Sequence, residues 1–204
     1  MSLLGEAPHE LLPHDGSAVL HPWVLGEHAW EPLMQRLVSE TQWEQRSIVV
    51  FGREHPQPRL TAWHGDPGCE YTYSNVRMNL VPWSETLARL RDLCSEVAGR
   101  RLNSVLLNLY RDGNDAMGWH RDNEPELGDE PVIASLSLGE PRRFRMRHRT
   151  TRETVGVVLE PGSLLVMSGA SQTHWEHSVP RQTRVTAPRL NLTFRRVTPS
   201  QNRG

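Results

Sequence analysis

The chain has 204 residues, of which 37% are hydrophobic and 23% charged, with a formal net charge of −1, so it can form one soluble domain that buries about 70% of its unfolded surface. All 23 basic residues are arginine, which excludes a Walker A loop, a pyridoxal phosphate Schiff base and any lysine nucleophile. The two cysteines, Cys69 and Cys94, are too few for a disulfide framework or a zinc ribbon.

The first 20 residues contain proline and histidine without clear periodicity, and we expect them to form an extended lead-in. They lack the basic region and apolar stretch of a signal peptide, and no run approaches the roughly 18 apolar residues of a membrane span. We therefore expect an intracellular, cytoplasmic protein with no membrane partner, associated with the nucleoid if it is bacterial.

Two helices are predicted. Over residues 26–40 apolar residues recur at helical spacing, with Pro32 in the first turns, where proline is tolerated. Ser84 can cap a second helix that ends at Gly99. The apolar faces consist of Trp30, Leu33, Met34 and Leu37 in the first helix and of Leu87, Leu90, Cys94 and Val97 in the second.

Short β-prone runs separated by Gly, Pro and Asn make up most of the remaining chain. Many short strands beside two helices predict a sandwich or barrel flanked by helices. A polar stretch of about 20 residues separates Tyr110 from Pro131, and so long a connection in a compact domain usually carries function. The predicted strands are 47–51, 70–74, 104–110, 132–138, 144–148, 154–159, 163–167 and 189–195.

The pattern His-x-Asp occurs twice, in WHRDNE (119–124) and in WHGDPG (63–68). The spacing alone is a weak indication of a metal site. WHRDNE lies in the long polar connection, whereas WHGDPG ends in Asp-Pro-Gly, which turn chemistry explains without a metal.

His120 and Asp122 could supply two metal ligands, and a third could come from His174 or His177 in THWEHSVP. Two histidines and one carboxylate leave the opposite face of the metal open, which suits ferrous iron with O₂ and a co-substrate. Zinc could use the same three ligands for hydrolysis.

Two predicted strands have one polar face each. A solvated outer surface would explain either pattern. However, the two arginines of the last strand start about 20 Å apart along an extended chain, so their side chains could lean inward and bind both ends of a small dianion, which a zinc hydrolase does not require. The polar side chains are Asn108 and Tyr110 in one strand and Arg189, Asn191, Thr193 and Arg195 in the other.

Residues 140–152 (EPRRFRMRHRTTR) contain six arginines, and alternation places those at 143, 145, 147 and 149 on one face. A charge run is usually a solvated surface. A single cationic strip on a near-neutral protein is, however, the pattern of a phosphate-backbone footprint, so we interpret the strip as a nucleic-acid surface.

The segments NLYRDG, WHRDNEPEL, ASLSLG, HWEHSVP and APRLNLTFR occur in this order. In combination they resemble the AlkB family of iron(II)- and 2-oxoglutarate-dependent dioxygenases, in particular its second and third human members, over about residues 47–197. The resemblance implies an α+β, mainly β fold in a single domain, 1–204. Its parts are an N-terminal extension and helix (1–45), a nucleotide-recognition lid (46–80), a support helix (84–99) and a double-stranded β-helix, or jelly-roll, core (104–197).

The resemblance also implies which residues form the site. It makes His120, Asp122 and His177 the iron ligands, so that WHRDNE is the metal site, WHGDPG is not, and His174 is a neighbour. It assigns Arg189 to the distal carboxylate of 2-oxoglutarate. Tyr110 and Asn191 would assist Arg189. Asn108 and Arg195 would lie at the end of 2-oxoglutarate that chelates iron.

Substrate-binding residues follow from the same resemblance. VFGREHPQPR is similar to the segment that inserts an apolar residue into the duplex, although Phe51 could equally be a core residue at a strand end. EYTYS is similar to a strand whose aromatic residues line the base pocket. The implied residues are Val50 and Phe51 (wedge), Arg59 (binding), Tyr71 and Tyr73 (base pocket), Glu124 (exocyclic amine) and, from the cationic strip, Arg143, Arg145 and Arg147.

The implied activity is oxidative demethylation of N-alkylated bases, such as 1-methyladenine and 3-methylcytosine, in DNA. Fe(II) is the implied cofactor; 2-oxoglutarate and O₂ are co-substrates, and formaldehyde, succinate and CO₂ are products. A base in a duplex must be flipped out to react. The expected partner is alkylated DNA, with RNA as the alternative, bound by a monomer. The rival functions are a 2-oxoglutarate hydroxylase or demethylase acting on RNA or protein, a non-catalytic nucleic-acid-binding module and a zinc hydrolase.

Overall fold

The computed structural model of the protein describes residues 7–26, 28–50, 53–69, 72–73, 76–77 and 79–198. These residues form an eight-stranded sheet, a four-stranded sheet, two two-stranded sheets and three α-helices. The helices are α1 (Trp30–Glu40), α2 (Glu85–Val97) and the one-turn α3 (Ser171–His174), and a 3₁₀ turn spans Pro125–Leu127. The strands are β1 (His9–Glu10), β2 (Ser17–His21), β3 (Ser47–Val50), β4 (Arg53–Pro56), β5 (Leu60–Gly65), β6 (Thr72–Tyr73), β7 (Val76–Arg77), β8 (Leu80–Val81), β9 (Ser104–Tyr110), β10 (Met117–His120), β11 (Ile133–Gly139), β12 (Arg142–His148), β13 (Thr154–Leu159), β14 (Leu164–Ser168), β15 (Trp175–Val179) and β16 (Arg189–Arg195).

The two longer helices follow from local signals in the sequence. Ser84 caps α2 by accepting a hydrogen bond from the Leu87 amide at 3.2 Å, and Gly99 follows the helix with a φ of +60°, a conformation that favours glycine. Helix α1 begins later than the predicted residue 26, because His28 has a φ of +63°, which a right-handed helix does not accommodate.

The larger sheet has the strand order β1-β2-β14-β11-β16-β9-β5-β8, and the smaller has the order β10-β15-β12-β13. Except for the parallel pair β5 and β8, the strand pairs within these sheets are antiparallel. This arrangement confirms the mainly β, jelly-roll fold. Among the described residues, no helix is both long enough and apolar enough to cross a membrane.

The larger sheet buries both of its faces, one against the smaller sheet and one against α1 and α2. In β9 the side chains of Val105, Leu107 and Leu109 pack in the core that includes residues of the two helices. Leu106 and Tyr110 instead pack in the core that includes residues of the smaller sheet. The alternation predicted from the sequence is therefore present, but its polar face is enclosed between the sheets and not solvated.

Several strands were not predicted. The lead-in contains β2, which pairs with β14, and the polar connection after Tyr110 contains β10. The predicted lid segment includes β5, which pairs with β9 within the larger sheet. These strands are short or polar, so their local pattern is weak and pairing with a neighbour decides their conformation.

Candidate active site

The three predicted metal ligands meet between the two sheets. His120 ends β10 and lies opposite His177 of β15 in the strand register, with 4.2 Å between the ring centroids. Asp122 follows two residues later, and the ligand atoms of the three side chains all lie within 4.8 Å of one another. Strand pairing thus supplies the third ligand that local sequence could not identify.

The protonation states of these groups suit a divalent metal. Burial, together with the charge of His120, lowers the pKa of His177 to about 3, and burial also lowers the pKa of His120. Burial opposes ionisation of Asp122, but the charge of Arg195 and the two histidines outweigh it, and the pKa falls to about 2. At neutral pH the group is therefore two uncharged imidazoles and one carboxylate, the form in which these side chains bind metals.

Hydrogen bonds orient these ligands. The Nδ1 of His120 lies 2.9 Å from the Gly118 carbonyl oxygen, so Nδ1 carries the hydrogen and Nε2 keeps its lone pair. Arg195 donates from Nη2 to Oδ1 of Asp122 at 2.8 Å, and the Asp122 amide donates to Oε1 of Gln172 at 2.9 Å. Gln172 in α3 was not predicted, because no local motif marks it.

The surroundings of His177 also fit a metal ion at this site. The Nδ1 of His177 is buried and has no hydrogen-bond partner among the described residues. Phe144 stacks on the His177 ring at 5.4 Å, which fixes the orientation of the ring. His120, Asp122 and His177 would hold the metal with one face open to a common cavity.

The same cavity reaches the polar faces of β9 and β16. In the register, Arg189 lies opposite Tyr110 and Asn191 lies opposite Asn108. Arg189 donates from Nη2 to the Ser137 hydroxyl at 2.9 Å, while its Nε and Nη1 have no acceptor among the residues that the structure describes. Burial lowers the pKa of Arg189 to about 10, so it remains a cation at neutral pH.

A buried guanidinium without an anionic partner is costly unless a ligand neutralises it. In the described part of the chain, no carboxylate forms an ion pair with Arg189, whereas Arg195 is paired with Asp122. A dicarboxylic 2-oxo acid matches this arrangement, because one carboxylate would meet Arg189 and the other end would reach the metal ligands. The cavity therefore fits 2-oxoglutarate.

The remaining polar residues of the cavity are held in place by one another. Asn191 donates from Nδ2 to Ser135 Oγ at 2.8 Å and accepts from Thr193 at 2.9 Å. Asn108 accepts from Nε of Arg59 at 2.8 Å. Arg59, predicted to bind substrate, is thus buried beside the cavity, and its charge acts to lower the pKa of His120.

The other substrate-side predictions fall in different places. Arg143 and Arg145 are exposed on β12, while Arg147 is half-buried and donates to Glu176 at 2.7 Å. Glu124 is half-buried and precedes the 3₁₀ turn. Phe51 and Tyr71 lie outside the described residues, as do the side chains of Val50 and Tyr73 in β3 and β6.

The second His-x-Asp segment has a structural role. His64, in β5, is buried, and its Nδ1 donates to the Pro82 carbonyl oxygen at 2.9 Å. Asp66 begins the predicted turn, in which the Cys69 amide donates to the Asp66 carbonyl, and its carboxylate accepts from Trp83 Nε1 at 2.7 Å.

A further His-Asp-His group, formed by His14, Asp15 and His148, also brings its ligand atoms within 4.8 Å of one another. Thr151 donates its amide hydrogen to Nδ1 of His148 at 3.1 Å, so the neutral ring carries its own hydrogen on Nε2, which faces Asp15 at 3.3 Å. His14 contacts two carboxylates, Asp15 at 2.9 Å and Glu153 at 3.1 Å. These contacts attach the N-terminal segment to the β12–β13 hairpin, and each ring nitrogen already faces a protein group.

Comparison with known proteins agrees with this geometry. Residues 17–195 match the 2OG-Fe(II) oxygenase superfamily. The chain is 43% identical over 185 residues to alpha-ketoglutarate-dependent dioxygenase alkB homolog 3 of Rattus norvegicus, covering 86% of this chain and 61% of that protein. It is 44% identical over 162 residues to DNA oxidative demethylase ALKBH2 of Mus musculus, covering 76% of this chain and 68% of that protein.

A solved structure, that of OsALKBH1, has the same fold, with a TM-score of 0.64 and 17% identity over 92% of this chain and 100% of that chain. The chain spans less than two thirds of the length of the rat relative. The superfamily match nevertheless includes all the residues of the candidate site and, apart from β1, every strand of the larger and smaller sheets. The chain belongs to the AlkB family of the 2OG-Fe(II) oxygenase superfamily.

Proposed function

We propose that the protein is an iron(II)- and 2-oxoglutarate-dependent dioxygenase that removes alkyl groups from nitrogen atoms of DNA bases. One observation carries this proposal: a single cavity contains two neutral imidazoles and a carboxylate together with a buried guanidinium, Arg189, that has no anionic partner among the described residues. The similarity to ALKBH2, whose name is DNA oxidative demethylase, supports DNA as the substrate.

Each group in the cavity has a separate task in this proposal. Iron, when bound with 2-oxoglutarate and O₂, supplies the oxidising chemistry, while the protein supplies binding, orientation and electrostatics. Arg189 binds the distal carboxylate as a buried cation whose Nε and Nη1 have no acceptor among the described residues, and a guanidinium is well suited to carboxylates. Arg195 keeps Asp122 ionised, so that a charged ligand is available to the metal at neutral pH.

The walls of the cavity keep the reaction away from bulk water. Leu106, Phe144, Met167 and Val179 line it beside the polar groups, and all four are buried. A low local dielectric strengthens the interaction of Arg189 with a carboxylate. It also limits the access of water to reactive species.

The cationic strip of β12 is the proposed contact for the DNA backbone. Arg143 and Arg145 are exposed, and the guanidinium groups of Arg145 and Arg147 lie 5.7 Å and 4.2 Å from the ring centroid of Trp119. Glu176 neutralises part of the charge of Arg147, so we assign the phosphate contact chiefly to Arg143 and Arg145. Binding through phosphates should weaken steeply as salt rises.

The proposal also includes details that rest on the family resemblance. Glu124, two residues beyond Asp122, would face the exocyclic amine of the flipped base, and Arg59 would hold the base from the other side of Asn108. Residues 46–80 would form the recognition lid, with Val50, Phe51, Tyr71 and Tyr73 facing the DNA. We propose that a cytoplasmic monomer carries out the reaction, which size-exclusion chromatography and cell fractionation would test.

The decisive experiment measures formaldehyde release from a 1-methyladenine oligonucleotide with iron and 2-oxoglutarate. We expect His120→Ala to abolish release. His64→Ala, a matched control in the other His-x-Asp segment, should retain most of the activity per folded molecule. The reverse result would contradict the assignment of the site.

Parallel substrates separate the rival functions. If methylated RNA or a peptide were turned over faster than methylated DNA, DNA would not be the preferred substrate. A protein that binds DNA but consumes no 2-oxoglutarate would be a binding module. Hydrolysis that is independent of O₂ and 2-oxoglutarate would indicate a zinc enzyme.

A further inference from the structure

Arg142 behaves differently from the other arginines of residues 140–152. It is the first residue of β12, and only 1% of its surface is exposed, whereas Arg143 next to it is exposed. Burying a guanidinium is costly unless its donors are satisfied. Its contacts therefore indicate what it does.

Four hydrogen bonds connect Arg142 to two loops. Loop A (residues 111–116) joins β9 to β10, and loop B (residues 180–188) joins β15 to β16. Arg142 donates to the carbonyl oxygens of Asp112 at 3.1 Å and Asp115 at 2.8 Å in loop A. In loop B it donates to the Pro180 carbonyl at 2.9 Å and to Gln182 Oε1 at 3.3 Å.

The two loops also bind each other directly. The Gly113 amide donates to the Val185 carbonyl at 2.8 Å, and the Gln182 amide donates to the Gly113 carbonyl at 2.8 Å. A side chain at position 113 would collide with the Gln182 carbonyl, so the close approach requires glycine. Arg142 thus completes a rigid junction between loops A and B.

Each loop connects a strand with metal ligands to a strand that lines the 2-oxoglutarate pocket. Loop A runs from Tyr110 toward His120, and loop B runs from the strand of His177 to Arg189. Any displacement of the junction would therefore move Tyr110 and Arg189 relative to the metal ligands. The position of the 2-oxoglutarate end of the cavity depends on Arg142, although none of the lining residues is Arg142 itself.

The charge of Arg142 is not neutralised by a direct ion pair. Among the described residues, no carboxylate lies within ion-pair distance of Arg142; the side chain of nearby Asp115 is bound to Arg111 at 2.8 Å. The guanidinium carbon of Arg142 lies 5.5 Å from the Tyr110 ring centroid, and that of Arg189 lies 5.4 Å from the same centroid. Two cations therefore flank Tyr110, which lines the cavity.

We propose that Arg142 is a positioning residue that fixes Tyr110 and Arg189 through loops A and B, and that its charge selects dianionic over monoanionic 2-oxo acids. This inference rests on the proposed function, because it names the co-substrate of the same cavity. The charge acts on the distal carboxylate without touching it. A monoanionic 2-oxo acid of the same chain length lacks that carboxylate and gains little from Arg142.

The test measures dissociation constants by calorimetry on the manganese-loaded protein, with 2-oxoglutarate and with the monoanion 2-oxopentanoate. We expect Arg142→Met to raise the Kd of 2-oxoglutarate about tenfold, as expected for the loss of one nearby charge at an effective dielectric constant of about 20. The Kd of 2-oxopentanoate should rise less than about threefold, because only the positioning contribution is lost. Arg142→Lys should restore most of the preference for the dianion.

Two controls separate this role from general destabilisation. Leu87→Ala empties space in the core on the helix side, and Arg101→Met removes an exposed arginine; both should leave the ratio of the two dissociation constants unchanged. If Arg142→Met does not fold, Arg142→Gln, which keeps hydrogen-bonding groups without the charge, should show the same change of ratio.

Equal weakening of both ligands would overturn the selective role of the charge, and unchanged binding of both would overturn the inference as a whole. Failure of the wild-type protein to bind 2-oxoglutarate would instead contradict the proposed function. These results are distinguishable, because the first two require normal binding by the wild type.

Discussion

The two His-x-Asp segments have the same spacing but different surroundings. His120 lies opposite a second imidazole, that of His177, and Asp122 receives a guanidinium, that of Arg195. His64 instead donates to a backbone carbonyl, and Asp66 accepts from an indole. The comparison teaches that a ligand pair becomes a metal site only where a third ligand converges and the neighbouring groups leave ligand atoms available.

The largest expected difference between the two segments is in metal affinity. We expect Asp122→Asn to weaken Mn²⁺ binding at least about 100-fold, because it removes the anionic member of the His120, Asp122 and His177 group. Asp66→Asn should leave Mn²⁺ affinity unchanged, since its carboxylate accepts from Trp83 and pairs with Arg91 and Arg101 away from the candidate metal site. Titration with Mn²⁺ followed by electron paramagnetic resonance measures both, and similar losses in the two variants would remove the distinction.

A smaller difference is expected in the free energy of unfolding. Here the substitution in the second segment, at His64, should have the larger effect. His64→Ala should lower the free energy of unfolding by about 2 kcal/mol, because it leaves a cavity and deprives the Pro82 carbonyl of its donor. His120→Ala should change the metal-free protein by less than about 1 kcal/mol, since residues kept for binding often contribute little to stability. Urea denaturation of the metal-free variants tests this ranking, and a more damaging His120→Ala would contradict it.

The smallest expected effect is a pH dependence from His64. Burial lowers the pKa of His64, and the hydrogen bond to Pro82 only partly opposes this. The unfolded chain therefore takes up a proton below about pH 6.5 that the folded protein resists, so stability is complete above this pH and declines as the pH falls. The stability difference between the wild type and His64→Gln should therefore shrink as the pH falls from 7 to 5.5.

Urea denaturation at each pH measures this difference, and contributions from the other histidines cancel between the two proteins. A difference that stays constant over the same pH range would indicate that His64 can be protonated in the folded state.

Much of the fold could be predicted because its signals are local. The cap at Ser84 and the alternation in residues 104–110 and 189–195 depend on neighbours in the chain, and these elements have the predicted bounds or nearly so. Strand β10 could not be predicted, because its four residues, MGWH, carry no pattern. The sequence of β16 was equally consistent with a polar face exposed to solvent, and only the packing of two sheets buries that face.

The arginines of residues 140–152 show the same division between what the sequence predicts and what only the fold reveals. Alternation placed four arginines, Arg143, Arg145, Arg147 and Arg149, on one face. All of them except the half-buried Arg147 are exposed. Nothing in the sequence distinguished Arg142, because its four acceptors come from loops about 30 and 40 residues distant in the chain. In the sequence, a buried arginine cannot be distinguished from an exposed one, because its hydrogen-bond acceptors are known only from the fold.

By itself, the sequence determined the helices, the alternation of the central strands and, through its ordered motifs, the family. Only the tertiary structure brought His177 to His120, buried Arg189 with no anionic partner in the described part of the chain, and bonded Arg142 to two loops. The physical reason is range: capping and alternation act between residues adjacent in the chain, whereas coordination, desolvation and charge pairing depend on distances that exist only after the sheets have packed.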